Sequence, residues 1–187
     1  MSELDTERLR LRRWRESDRE PFAALNADPV VMEHFPALTS RAESDAMVDR
    51  VEAHFDRRGF GLWAVEVRGG APFVGFVGLW TPMFEAHFTP AVEVGWRLAR
   101  AHWGHGYATE AACAAVDYGF EELELEEIVA FTVPGNFRSR RVMERLGMTH
   151  DPVDDFDHPG IPAGDPLRRH VLYRLARSPE GASPPAA

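Results

Sequence analysis

The sequence predicts an α/β (α+β) layered domain, and three observations support that. Short apolar runs with strand-like patterning alternate along the chain with longer amphipathic runs. Cap and breaker residues such as Asp18, Pro29 and Ser40 stand where those longer runs begin or end. A glycine-rich turn at residues 103–111, WGHGYATEA, joins one strand to one helix. Elements interleaved in this way pack as layers about a mixed sheet. The 187 residues suit one domain, placed at 1–177, and a hydrophobic content of 44% can fill a sizeable core.

Residues 9–13 alternate as a strand. Ser17-Asp18 reads as a cap for a helix at 19–27, with Pro21 in the first turn, where proline is tolerated, and Asp28-Pro29 as its end. Thr39-Ser40 precedes a second helix at 42–57, whose Ala46, Met47, Val51 and Phe55 fall near one face. Strands at 61–67 and 73–80 flank a Gly69-Gly70 turn and pair as a hairpin. A strand at 91–98, a helix at 107–121, a strand at 128–133, a helix at 136–146 and a last strand at 171–175 follow. The tail at 178–187, SPEGASPPAA, has the composition of a disordered segment.

Composition narrows the function classes. A net charge of -9 argues against non-specific nucleic-acid binding and suits a cationic acceptor such as an amine. No apolar run approaches the roughly 18 residues of a membrane span, and the charged opening residues do not resemble a signal peptide. The single cysteine, Cys113, rules out an internal disulfide and fits a reducing compartment, so the expected location is cytoplasmic, as a monomer or homodimer. Cys113 lies mid-helix and reads as a small buried hydrophobe, not a nucleophile.

The turn at 103–111 is the main chemical signal. Glycines let backbone approach a ligand, and the first turn of a helix offers unpaired N–H groups, so a phosphate-bearing ligand is expected. A P-loop would end in Gly-Lys-Ser/Thr, and this turn has no lysine. A dinucleotide fingerprint would follow its strand directly and place an acid at the end of the next one; Glu126 and Glu127 stand before the next apolar run.

Gly104-His105-Gly106-Tyr107-Ala108 resembles the pyrophosphate loop of the GNAT N-acetyltransferase superfamily, with Trp103 where the family carries Arg or Gln. Asn136-Phe137-Arg138-Ser139, followed by Leu146-Gly147-Met148, is similar to the family's Asn-x-x-Ser helix ending in Leu-Gly-Phe/Met. Thr6 to Arg12, TERLRLR, and Gly75 to Gly78 resemble the branch that acetylates N-termini of ribosomal proteins (RimJ/RimL type). The resemblance runs from about Thr6 to Arg177. It implies a twisted, mostly antiparallel sheet with helices on both faces, splayed between the strands at 91–98 and 128–133, with acetyl-CoA in the cleft. It implies an acyltransferase that moves an acetyl group to a primary amine by direct attack in a ternary complex, with no metal. The acceptor is a protein or peptide N-terminus, or alternatively a small amine such as an antibiotic or polyamine; a non-catalytic acyl-CoA-binding domain is the third reading.

The same resemblance assigns the site. Trp103, Gly104, His105, Gly106, Tyr107, Ala108 and Thr109 cradle the pyrophosphate, Trp96 and Leu98 hold the pantetheine arm, and Asn136 and Ser139 complete the acetyl-CoA site. A backbone N–H near Val94 or Gly95 polarises the thioester carbonyl. Glu93, a carboxylate in an apolar strand, is the candidate base, with His87 and His102 as alternatives. Many members use a tyrosine about seven residues after the Asn as acid; here that position is Met143, so Ser139 is the candidate that assists the leaving thiolate. On the acceptor side stand His34-Phe35-Pro36 and the stretch 151–165, whose Asp154, Asp155 and Asp157 either attract an ammonium group or form a solvated acidic loop. His158 beside them is too little for a metal site.

Overall fold

The structure, a computed structural model, describes residues 3–177. The tail expected at 178–187 lies outside the described residues. The strands are β1 (Leu4–Asp5), β2 (Leu9–Arg12), β3 (Leu62–Val67), β4 (Gly75–Trp80), β5 (Glu93–Leu98), β6 (Glu127–Thr132), β7 (Thr149–His150), β8 (Phe156–Asp157) and β9 (Arg169–Ala176). They form one sheet in the order β1-β2-β3-β4-β5-β6-β9-β7, with β8 beside β9. Neighbours are antiparallel except β5 and β6, which run parallel and meet only at Glu93 and Val129. The expected mixed, mostly antiparallel sheet with a central splay is therefore present. The short strands β1, β7 and β8 carry too few residues to show a period in the sequence.

Among the described residues four α-helices pack on this sheet: α1 (Arg19–Asn26), α2 (Arg41–Arg58), α3 (Tyr107–Glu121) and α4 (Phe137–Arg145). Ser40 caps α2 as its sequence predicts: its hydroxyl accepts the Glu43 N–H, and the Glu43 carboxylate takes the Ser40 N–H at 2.8 Å. Asp18 does something other than cap α1. Its carboxylate takes both terminal nitrogens of buried Arg12, at 2.7 and 2.9 Å, and the Arg15 N–H at 2.7 Å. No helix among the described residues is long and apolar enough to cross a membrane.

Strand alternation decides what each face of β5 can do. Leu79 and Val94 lie opposite each other on the face covered by α3, where Leu79 also approaches Gly119. Phe76, Trp80, Glu93, Gly95 and Arg97 share the other face, beneath α1 and α2, where His54 of α2 stacks on Trp80 at 4.2 Å. The main core gathers Leu9, Leu11, Val65, Val77 and Ile128, and a smaller cluster of Phe88, Val129, Phe156 and Leu172 lies beyond the splay.

Candidate active site

β5 ends in a loop whose last residue, Gly106, is the N-cap of α3. Gly104 and Gly106 have φ of +79° and +80°, in the left-handed region where a side chain would be strained. The Glu110 N–H is the first to reach back into this turn, to Gly106 O at 3.0 Å. The N–H groups of Tyr107, Ala108 and Thr109 have no acceptor among the described residues and converge at the positive end of the helix, a ready anion site. The N-terminal segment braces that turn. Arg8 donates to His105 O at 2.9 Å and to Glu110 Oε2 at 2.6 Å, and Thr6 Oγ1 donates to Glu110 Oε1 at 2.6 Å.

The splay opens a cleft of about 980 Å³ beside this loop. Ala99 N–H donates to Val74 O at 2.9 Å, which sets the phase of the β4–β5 ladder. Glu93, Gly95 and Arg97 thus turn their backbone groups to β4, and Val94, Trp96 and Leu98 turn theirs to β6. The expected free N–H at Val94 or Gly95 is accordingly corrected: Gly95 is paired with Gly78, and the parallel bridge at Val129 engages Val94. Past that bridge the Trp96 N–H and carbonyl face the open splay. Leu98 O is taken by the Trp103 indole N–H at 2.8 Å.

Glu93 stands on the cleft floor with no hydrogen bond or ion pair among the described residues. Burial, uncompensated by any cation, pushes its carboxyl up to about 8. Arg97, four residues on along the same face, does not pair with it; it donates to Asn26 Oδ1 at 2.6 Å. Of the alternative bases, His102 lines the cleft, whereas His87 lies outside it, 3.5 Å from Asp154.

α4 brings the second motif to the same cleft. Asn136 is its N-cap: Oδ1 accepts the Ser139 N–H at 3.2 Å, and Nδ2 donates to Thr132 Oγ1 at 3.0 Å, leaving one amide hydrogen. Ser139 lines the cleft and its hydroxyl has no partner among the described residues. Met143 is buried beneath it, so no acid replaces the family's tyrosine at that position. Tyr173 is no substitute, because its hydroxyl is held by Arg140 and Glu144 away from the cleft. The sequence reading missed a basic face: Arg138, Arg141 and Arg145, at helical spacing, all line the cleft. Arg138 lies over the Trp103 ring at 4.6 Å and bonds Glu33, while Arg141 and Arg145 have no partner among the described residues. Three free helix N–H groups, two unpaired arginines and an open strand edge fit the phosphates and amide-bearing arm of CoA.

Every other expected binding residue except one lines this cleft. His105 does not; its ring stacks on Tyr107 at 5.4 Å. Of the two readings of Asp154, Asp155 and Asp157, the structure does not favour an ammonium site. Asp154 takes Arg174 at 2.6 Å, Asp155 takes His150 at 2.7 Å, and Asp157 faces Arg168 and Arg169. The cleft wall from that stretch is instead His158, Gly160 and Ile161, next to Phe131 and His170. Among the described residues no three metal-ligating side chains cluster.

Residues 8–149 match the family described as the Acetyltransferase (GNAT) domain. FsC-acetyl coenzyme A-N(2)-transacetylase of Aspergillus fumigatus is 33% identical over 93% of this chain and 76% of its own. The crystal structure of an acetyltransferase from Agrobacterium tumefaciens superposes with a TM-score of 0.76, at 28% identity, over 95% of each chain. Mycobacterium smegmatis RimJ, solved with CoA-disulfide, shares the fold at a TM-score of 0.72 and 18% identity, over 94% of this chain and 85% of its own.

Proposed function

The chain belongs to the GNAT acetyltransferase family, N-acetyltransferases whose co-substrate is acetyl-CoA, and from that premise we propose how its residues divide the reaction. Acetyl-CoA supplies an acetyl group activated as a thioester. The N–H groups of Tyr107, Ala108 and Thr109, with Arg141 and Arg145, hold its phosphates. The Trp96 backbone and the remaining Asn136 amide hydrogen hold the arm that carries the thioester. Glu93 accepts the proton the amine must lose. The observation that carries this role is its isolation: a carboxyl near 8 is matched to an α-amino group, whose ordinary value is about 8, so a proton passes between them with little penalty. The Ser139 hydroxyl, free and in the cleft, donates a hydrogen bond to the departing sulfur.

The acceptor this geometry suits best is a small amine-bearing molecule or short peptide. Arg138 of α4 bonds Glu33 of the α1–α2 loop, which ties two cleft walls together and narrows access. A protein N-terminus is the second reading, favoured by the resemblance of the TERLRLR segment to the branch that acetylates N-termini of ribosomal proteins. The test is CoA release from acetyl-CoA over a panel of short peptides, polyamines and aminoglycosides, beside calorimetry of Gly106→Glu. Turnover with one acceptor class is expected, together with loss of acetyl-CoA binding in the variant, whose carboxylate would meet the phosphates. Unchanged affinity in Gly106→Glu would remove the loop from the site.

A further inference from the structure

Arg97 is a cation built into the cleft without a counter-charge. Its guanidinium lies over the Phe35 ring at 4.1 Å, and Nη1 donates to Asn26 Oδ1 at 2.6 Å. Asn26 is itself fixed, fully buried, by donating to Ser44 Oγ at 2.8 Å. This chain of contacts from α2 through α1 fixes the guanidinium through Nη1 and leaves its other two nitrogens without a protein partner among the described residues. Nε is sealed from solvent with no acceptor, and Nη2 has none among the described residues. The Nε/Nη2 edge presents two parallel N–H donors, the arrangement that binds both oxygens of a carboxylate. A buried donor left without a partner is costly in the folded protein, and a ligand acid would satisfy it.

We propose that the Nε/Nη2 edge of Arg97 is an acceptor subsite for a carboxylate carried by the amine substrate. It deepens the N-acetyltransferase reading and rests on it for the identity of the acceptor. Glu93 and Arg97 share one face of β5, their Cα atoms about 13 Å apart along the strand. Gly95 stands between them, and a Cβ there would touch only Glu93 Oε1, at 3.8 Å, so the Glu93 carboxyl leans over Gly95 and no other group covers the floor at that point. An acceptor lying along that floor has its amine at Glu93 and its acid at Arg97. The class is an amine whose carboxylate lies several bonds away, such as a dipeptide with a free C-terminus or an ω-amino acid. A polyamine would bring a second cation to Arg97 and is disfavoured.

The test uses the full chain saturated with CoA, titrated calorimetrically with alanylalanine and 6-aminohexanoate and with the C-terminal amide of each. The acids should bind about tenfold or more tighter than the amides. Arg97→Leu should erase that preference, and Arg97→Lys should keep only part of it, since an ammonium lacks the fork. Acetyl-CoA affinity should be unchanged in both variants. Acids that bind no tighter than amides, or do not bind at all, would overturn the subsite. Weaker acetyl-CoA binding in Arg97→Leu would overturn it too, by giving the edge to a phosphate or the thioester. Acids that bind through Arg97 while none of these amines is acetylated would support the subsite and count against the proposed acceptor class instead.

Discussion

A buried arginine and a half-buried one divide the molecule into a part that is finished and a part that waits. Arg12 uses Nε on Glu66, Nη1 on Asp18 and Arg13 O, and Nη2 on Asp18 and Pro72 O. Arg97 uses one nitrogen, on a neutral amide. Burial works against the charge of Arg12, but the bonds from Asp18 and Glu66 outweigh it and hold the guanidinium above its ordinary value. Burial acts on Arg97 without such help and lowers it to about 10, still charged at neutral pH. Their carboxylate neighbours differ likewise: Glu66 is held below its usual range by Arg12, whereas Glu93 is pushed up to about 8. Satisfied groups tie β2, β3 and the turn before α1 together. Unsatisfied ones face the cleft, where a substrate completes them.

Substitution should separate the two kinds most sharply in stability. Arg12→Met strands Asp18 in the interior and should cost about 3–5 kcal/mol in denaturant unfolding. Arg97→Leu removes a charge that no protein acid requires but leaves buried Asn26 Oδ1 without its donor, and should destabilise by only about 1 kcal/mol. Equal large losses would mean that Arg97 is structural and that the contrast is false.

Glu93→Gln should slow turnover by about a hundredfold at pH 9, where the wild-type carboxylate is ionised and able to take a proton. Wild-type kcat/KM should rise with pH through about 8, and the carboxylate's share of that rise should vanish in the variant. Stability should move the opposite way. Because the folded-state value is raised above the ordinary 4.5, the folded protein holds a proton that the unfolded chain gives up. Any stability linked to Glu93 is therefore full below about 4.5 and lost as pH climbs to 8. Glu93→Gln should melt higher than wild type at pH 9 and level with it at pH 4. A variant that loses rate and stability together at pH 9 would place Glu93 in the satisfied part of the molecule.

The sequence carried most of the finished part and the outline of the waiting one. Helix bounds follow from Ser40 with Glu43 at α2 and from Gly106 at α3, because caps and left-handed glycines are local signals. The loop and the Asn-x-x-Ser block place ligand groups from two distant segments in one cleft by resemblance. What the sequence could not show was which polar groups go unpaired, since pairing is decided by residues far away in the chain. Asp18 looked like a cap until Arg12 claimed it, and Asp154, Asp155 and Asp157 looked free until Arg174, His150 and Arg168 did. The Arg138, Arg141 and Arg145 face was legible as a helical i, i+3, i+7 set, once the helix was placed at the cleft.

Ser139 is the smallest test of the same division. Ser44 and Ser139 both sit on helices, but Ser44 Oγ accepts Asn26 Nδ2 in the interior and Ser139 Oγ has no partner. Ser44→Ala should destabilise by about 1 kcal/mol and leave a buried amide donor unmet. Ser139→Ala removes no internal bond, since the helix cap uses the Ser139 N–H and not its hydroxyl. Its unfolding free energy should stay within about 0.5 kcal/mol of wild type. Its kcat should fall about fivefold, the worth of one neutral hydrogen bond to the leaving sulfur, with KM for the acceptor unchanged. A fall in stability without a fall in kcat would return Ser139 to the scaffold and leave the departing thiolate to take its proton from water.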